Sequence, residues 1–165
     1  MAKHFMVLGD NNMATVHDVA AYILSRVDGR ISTMKLQKLC YYSQGWSLAW
    51  DERPLFNARI EAWANGPVIT ELYREHRGNF SVTEWPKGDA SALSENEVET
   101  IEAVLDGYQH LTGQQLSDLT HAERPWLTAR NGIPNGARCQ DEVSLDTMQD
   151  FFGGLMASET VATEL

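Results

Sequence analysis

Residues 34–50, MKLQKLCYYSQGWSLAW, constrain this chain more than any other stretch. Placed at about 100° per residue, Leu36, Leu39, Cys40, Ser43, Ser47 and Trp50 share one face. Met34, Tyr41 and Leu48 form a second stripe, and Tyr42, Trp46 and Ala49 nearly close the circle. Only Lys35 and Lys38, near the start, point charge outward. A helix that is apolar nearly all round must be covered on most sides, so this segment predicts the central helix of a domain.

The flanking sequence supplies the cover. Thr15 and Asp18 form a capping box ahead of Val16, Val19, Ala20, Ile23, Leu24 and Val27, which repeat at helical spacing. Gly29 suits the left-handed end of that helix, and Ser32 or Thr33 caps the central one. "NARIEAW" predicts a short strand, with Ala58, Ile60 and Ala62 on one side and Arg59, Glu61 and Trp63 on the other. Gly66 and Pro67 form a structural turn that opens a third helix, since proline is favoured at the first helical position. Val68, Ile69, Leu72 and Tyr73 would face inward from it.

"NFSVTEW" is a second short strand. Ser94 with Glu97 and Thr112 with Gln115 cap further helices, and Ser144 caps a last one carrying Leu145, Met148, Phe151 and Phe152 inward. The expected fold is mainly α, a compact helical single domain over residues 15–155 with a minor short-strand β element. Residues 1–14 read as a flexible arm and 156–165 as a frayed tail.

Composition excludes some classes. The chain of 165 residues is long enough for a hydrophobic core, and no apolar run approaches the ~20 residues needed to cross a bilayer. The N-terminus makes a poor signal peptide, and Cys40 and Cys139 stand far apart, which predicts reduced thiols and a cytoplasmic protein. The net charge is −10, yet residues 1–50 carry five bases against three acids. Nucleic-acid binding would have to rest on that short segment alone, which makes it an unfavoured function. The acidic remainder suits a basic or apolar protein partner, or serves solubility.

Catalytic motifs are wanting. His4, His17, His76, His110 and His121 form no H-E-x-x-H pattern, and the cysteines form no C-x-x-C, so no metal, cofactor or catalytic residue is expected. Cys40 sits on an apolar face and reads as core, and Glu61 and Glu71 read as solvated or ion-paired acids. A small metal-dependent hydrolase using His76, His121 and an acid is the enzymatic alternative. The stronger signal is aromatic. Tyr41, Tyr42, Trp46, Trp50, Phe56, Trp63 and Tyr73 crowd one region, either as core or as a protein-binding surface.

Three separated blocks carry a resemblance. They are K-L-Q-K-L-x-Y with Q-G-W (Lys35–Tyr41, Gln44–Trp46), P-L-F with E-A-W-x-x-G-P-V and Y-R (Pro54–Phe56, Glu61–Val68, Tyr73–Arg74), and L-T-H-x-E-x-P-W (Leu119–Trp126). In this order they resemble the Panacea domain of SocA-like antitoxins, a group that also takes in GepA-like phage-associated proteins. The resemblance spans roughly residues 15–155. It implies a small, mainly helical, non-enzymatic protein that neutralises a cognate toxin by direct binding. Some relatives deliver the toxin to a protease. Many members carry an added DNA-binding segment, for which this length leaves no room. The partner-binding residues expected from the aromatic signature are Tyr41, Tyr42, Trp46, Trp63 and Tyr73. The alternative is a phage-related adaptor or regulator that binds a host protein.

Overall fold

The computed structural model describes residues 13–164, so the expected arm falls almost wholly outside the described residues. The order is α1 (Val16–Arg26), β1 (Ile31–Ser32), α2 (Thr33–Asp51), β2 (Ile60–Trp63), β3 (Gly66–Ile69), α3 (Thr70–His76) and β4 (Ser81–Val82), followed by a 3-10 turn (Ala90–Ala92), α4 (Glu95–Tyr108), α5 (Gly113–His121), α6 (Arg124–Arg130) and α7 (Leu145–Glu164). The fold is mainly α, with two small antiparallel strand pairs among the described residues.

α2 is the axis of the molecule. Every residue from Leu36 to Ala49 is buried, because α1, α4, α5 and α7 all pack against it. The contact with α7 is close: the Phe152 ring fills the space that a Cβ at Gly45 would need. Ser32 caps α2 by accepting from the Lys35 N–H at 3.0 Å. Capping boxes at Thr15/Asp18, Ser94/Glu97 and Thr112/Gln115 start α1, α4 and α5 as their sequences require. Ser144 Oγ accepts from the Thr147 N–H at the start of α7.

Two expectations need correction. Lys38 does not point outward; it is only 2% exposed. Gly66 and Pro67 do not open a helix. They begin β3, which pairs with β2 in the register Trp63↔Gly66, Ala62↔Pro67, Glu61↔Val68 and Ile60↔Ile69, and the helix starts at Thr70. A proline's fixed φ suits an edge strand as well as a first helical turn, and here its missing N–H is not needed. The chain reverses at Ala64-Asn65, and Gly66 adopts φ 113°, a conformation that side chains resist.

Candidate partner-binding face

The β2–β3 hairpin is held by side chains rather than by a larger sheet. At its tip, the Ala62 carbonyl accepts from Arg130 Nη1 (2.9 Å), Trp63 O from Trp126 Nε1 (2.8 Å) and Asn65 O from Ser117 Oγ (2.6 Å). His121 Nε2 lies 2.8 Å from Ala64 O. On the other strand Lys38 Nζ donates to Pro67 O at 3.2 Å. Gln37 brackets Ile69, donating to its carbonyl (3.1 Å) and accepting from its N–H (2.9 Å). Gln44 does the same for the preceding loop, accepting from the Leu55 and Phe56 N–H groups and donating to Phe56 O. Buried backbone groups must be satisfied, and here helices α2, α5 and α6 satisfy a hairpin too small to do so itself.

Gly66 shows how tight this clamp is. A Cβ there would lie 2.7 Å from Thr120 Oγ1 and 2.8 Å from Lys38 Cε.

Trp63 and Tyr73 stand on the outer side of the hairpin and α3. Both are half-buried, and their rings meet edge to face at 4.9 Å and 70°. The Trp63 indole N–H donates to Glu61 Oε1 (2.8 Å), and Glu61 in turn accepts from Arg59 (2.8 Å). The hydrogen bonds from Trp63 and Arg59 hold the Glu61 carboxyl below its usual range, against the opposing effect of its desolvation. Two depressions flank the ring pair. One, of about 300 Å³, is lined by Met34, Lys38, Trp63, Val68, Tyr73 and His76, among others. The other, of about 430 Å³, is lined by Trp63, Tyr73, Arg77, Arg138 and Cys139 among others.

The remaining expected contact residues lie elsewhere. Tyr41, Tyr42 and Trp46 are buried in the core, so the side of α2 that carries them is not displayed beside Trp63 and Tyr73. Tyr42 stacks on Tyr108 at 4.2 Å and donates to Glu123 Oε1 at 2.8 Å, and Trp46 donates to Tyr108 Oη at 2.9 Å. Burial pushes the Glu123 carboxyl up to about 7. Trp46 also stacks on Trp50, which is 40% exposed.

Arg130, which the sequence did not single out, and His121 and His76, named there only for an enzymatic alternative, do much of the holding. His121 spans two main-chain carbonyls, and Arg130 is 2% exposed with its guanidinium on Trp126 and on the Ala62, Pro134 and Ala137 carbonyls. His76 accepts from the Gln37 amide at 3.0 Å, which places its own hydrogen on Nδ1. Desolvation holds its pKa below the usual histidine value. Cys40 and Cys139 are free and buried, and burial raises the Cys40 thiol. Among the described residues no group of three or more His, Cys, Asp or Glu could hold a metal, and no helix is long and apolar enough to cross a membrane.

The profile of the family described as "Antitoxin SocA-like, Panacea domain" matches residues 36–127, more than half of the chain. The chain belongs to the SocA-like Panacea-domain antitoxin family. A similar protein is Antitoxin SocA of Caulobacter vibrioides (strain NA1000 / CB15N), 32% identical, with 73% of each chain covered. No solved structure matches. The Panacea blocks acquire a physical meaning from the geometry. Lys38 of the first block and His121 and Trp126 of the third hold the Pro67, Ala64 and Trp63 carbonyls of the second. Gln44 of the first holds Leu55 and Phe56 of the P-L-F segment, and Gln37 reaches Ile69, just beyond the second block.

Proposed function

We propose that this chain is an antitoxin that neutralises a cognate protein toxin by direct binding, with Trp63 and Tyr73 at the centre of the contact. Family membership supports the antitoxin role. The observation that carries the choice of face is the half-exposed Trp63–Tyr73 pair, displayed on a hairpin whose backbone is fixed by Arg130, Trp126, His121, Ser117, Lys38 and Gln37. Tyrosine and tryptophan dominate binding hot spots because they bury large area with few rotatable bonds. A rigid support reduces the ordering entropy lost on association. Neutralisation by binding requires no catalytic group and no cofactor. Tyr41, Tyr42 and Trp46 then contribute from beneath, as scaffold.

Co-expression with the neighbouring gene, scored for growth rescue and co-purification, tests the role. Trp63→Ala and Tyr73→Ala should each weaken the complex by about 2 kcal/mol or more while the free protein stays folded. Unchanged affinity in both variants would move the contact elsewhere. Residues 84–123 hold nine acids and one base, so a basic toxin surface docking near them should associate more slowly as salt rises. An on-rate indifferent to salt would leave that segment a solvated face.

A further inference from the structure

Lys38 is a cation in an unusual position. Its ammonium group is buried, its one hydrogen-bond acceptor among the described residues is the Pro67 carbonyl at 3.2 Å, and it forms no ion pair among them. An ammonium carries three donors, and a buried charge without a counter-ion is costly. The same residue lines the depression of about 300 Å³ beside Trp63 and Tyr73, at the lower end of the ~300–1,000 Å³ range of ligand pockets. Met34, Val68 and the two aromatic rings give that pocket apolar walls.

Other buried polar groups of the pocket are already committed. Gln37 is committed to Ile69 and His76, and the Thr33 hydroxyl donates to Asn79 O. Lys38 is therefore the buried charged group of this lining with unused donors. The wider face has the same sign: Arg77 and Arg138 line the neighbouring depression, and neither forms an ion pair among the described residues.

We propose that this pocket recognises a carboxylate presented by a docked protein segment, with Lys38 Nζ as the counter-charge and Met34, Trp63, Val68 and Tyr73 enclosing the attached apolar carbons. The carboxylate belongs to an acidic side chain or to the segment's own C-terminus. The inference takes from the proposed function only that a protein segment docks on this face, and it holds whether or not that protein is a toxin. Burial lowers the Lys38 pKa to about 7, so binding should take up a proton above neutral pH and weaken as pH rises. The other titratable groups lining the pocket are His76, whose Nε2 is engaged by Gln37, and the Tyr73 phenol.

The test needs no toxin. N-acetyl-leucine (a terminal carboxylate), N-acetyl-glutamic acid α-amide (a side-chain carboxylate) and N-acetyl-leucinamide (neither) are titrated into the full chain, and the Trp63 indole resonance is followed by NMR. Saturable shifts with at least one of the acids, and binding of the amide about tenfold weaker or less, support the proposal. The better acid identifies the source of the carboxylate. Lys38→Met, in a folded sample, should abolish the preference for acid over amide. Equal binding of acid and amide by the native chain, or no saturable shift with either acid, would overturn the proposal without any variant. Loss of toxin binding with an intact acid preference would count against the antitoxin role and leave the pocket standing.

Discussion

The hairpin face and the groove between α2, α4 and α5 are both aromatic, yet they are built on different partners. The groove, about 430 Å³, is lined by Trp46, Trp50, Tyr108, Leu111 and Leu119, and the helix beside it carries Glu95, Glu97, Glu99, Glu102 and Asp106. The hairpin face has Lys38 beneath it and Arg77 and Arg138 beside it. A chain with a net charge of −10 thus presents, at the hairpin, a face whose lining charges are basic, whereas the groove's lining holds no Asp, Glu, Lys or Arg. Net charge describes solubility and long-range steering, and short-range recognition is decided by the few charges that surround the contact. The aromatics differ in the same way: Trp46 stabilises the interior, and Trp63 is left half in water.

The hairpin's rigidity is the easiest part of this contrast to break. Gly66→Val combines an unfavourable φ with a collision against Lys38 and Thr120, and should destabilise the fold by about 3 kcal/mol or more. Pro67→Ala, which keeps the carbonyl that Lys38 holds, should cost less than about 1 kcal/mol. Chemical denaturation measures both, and a near-neutral Gly66→Val would mean that the tip is loose. For the aromatics, Trp46→Ala should lose about 3–5 kcal/mol of stability, whereas Trp63→Ala should lose only about 1–2 kcal/mol. Equal losses would erase the distinction between core and display.

A pH dependence separates two of the buried ionisable groups, Glu123 and Lys38. Glu123, pushed up to about 7 by burial from the ordinary ~4.3, binds more protons folded than unfolded over that interval. Its contribution therefore falls as pH rises from ~4.3 to ~7. Lys38, lowered to about 7 from the ordinary ~10.4, binds fewer protons folded than unfolded, so its contribution rises with pH across ~7 to ~10.4. Melting temperatures across pH should show Glu123→Gln flattening the acid limb and Lys38→Met the alkaline limb. An effect of either variant on the opposite limb would reverse the assignment.

Much of the helical frame was legible because its signals are local. Capping boxes at Thr15, Ser94 and Thr112 act within three residues, and the apolar circle of α2 requires cover whatever the cover turns out to be. Gly66 and Pro67 were misjudged because the same dipeptide suits a helix start and a strand leaving a turn. The preceding Asn65 was the available hairpin cue. Lys38, His121 and Arg130 were not legible as a clamp, since their roles depend on carbonyls 29 to 68 residues away in the chain. The aromatic cluster could be seen, but its division into Tyr41, Tyr42 and Trp46 inside and Trp63 and Tyr73 at the surface depends on how α4, α5 and α7 close over α2.

That clamp also sets an order of events on the ribosome. Trp63 and Tyr73 emerge early, but the donors for the Asn65, Ala64, Trp63 and Ala62 carbonyls arrive only with Ser117, His121, Trp126 and Arg130. Domains fold as units while synthesis proceeds from the N-terminus. Until these donors have cleared the exit tunnel, the nascent chain carries its display residues on a hairpin held only from the Gln37 and Lys38 side. A product truncated or stalled before Ser117 would therefore contain the whole contact sequence and still lack the contact surface, so the binding face matures only once Arg130 has been made.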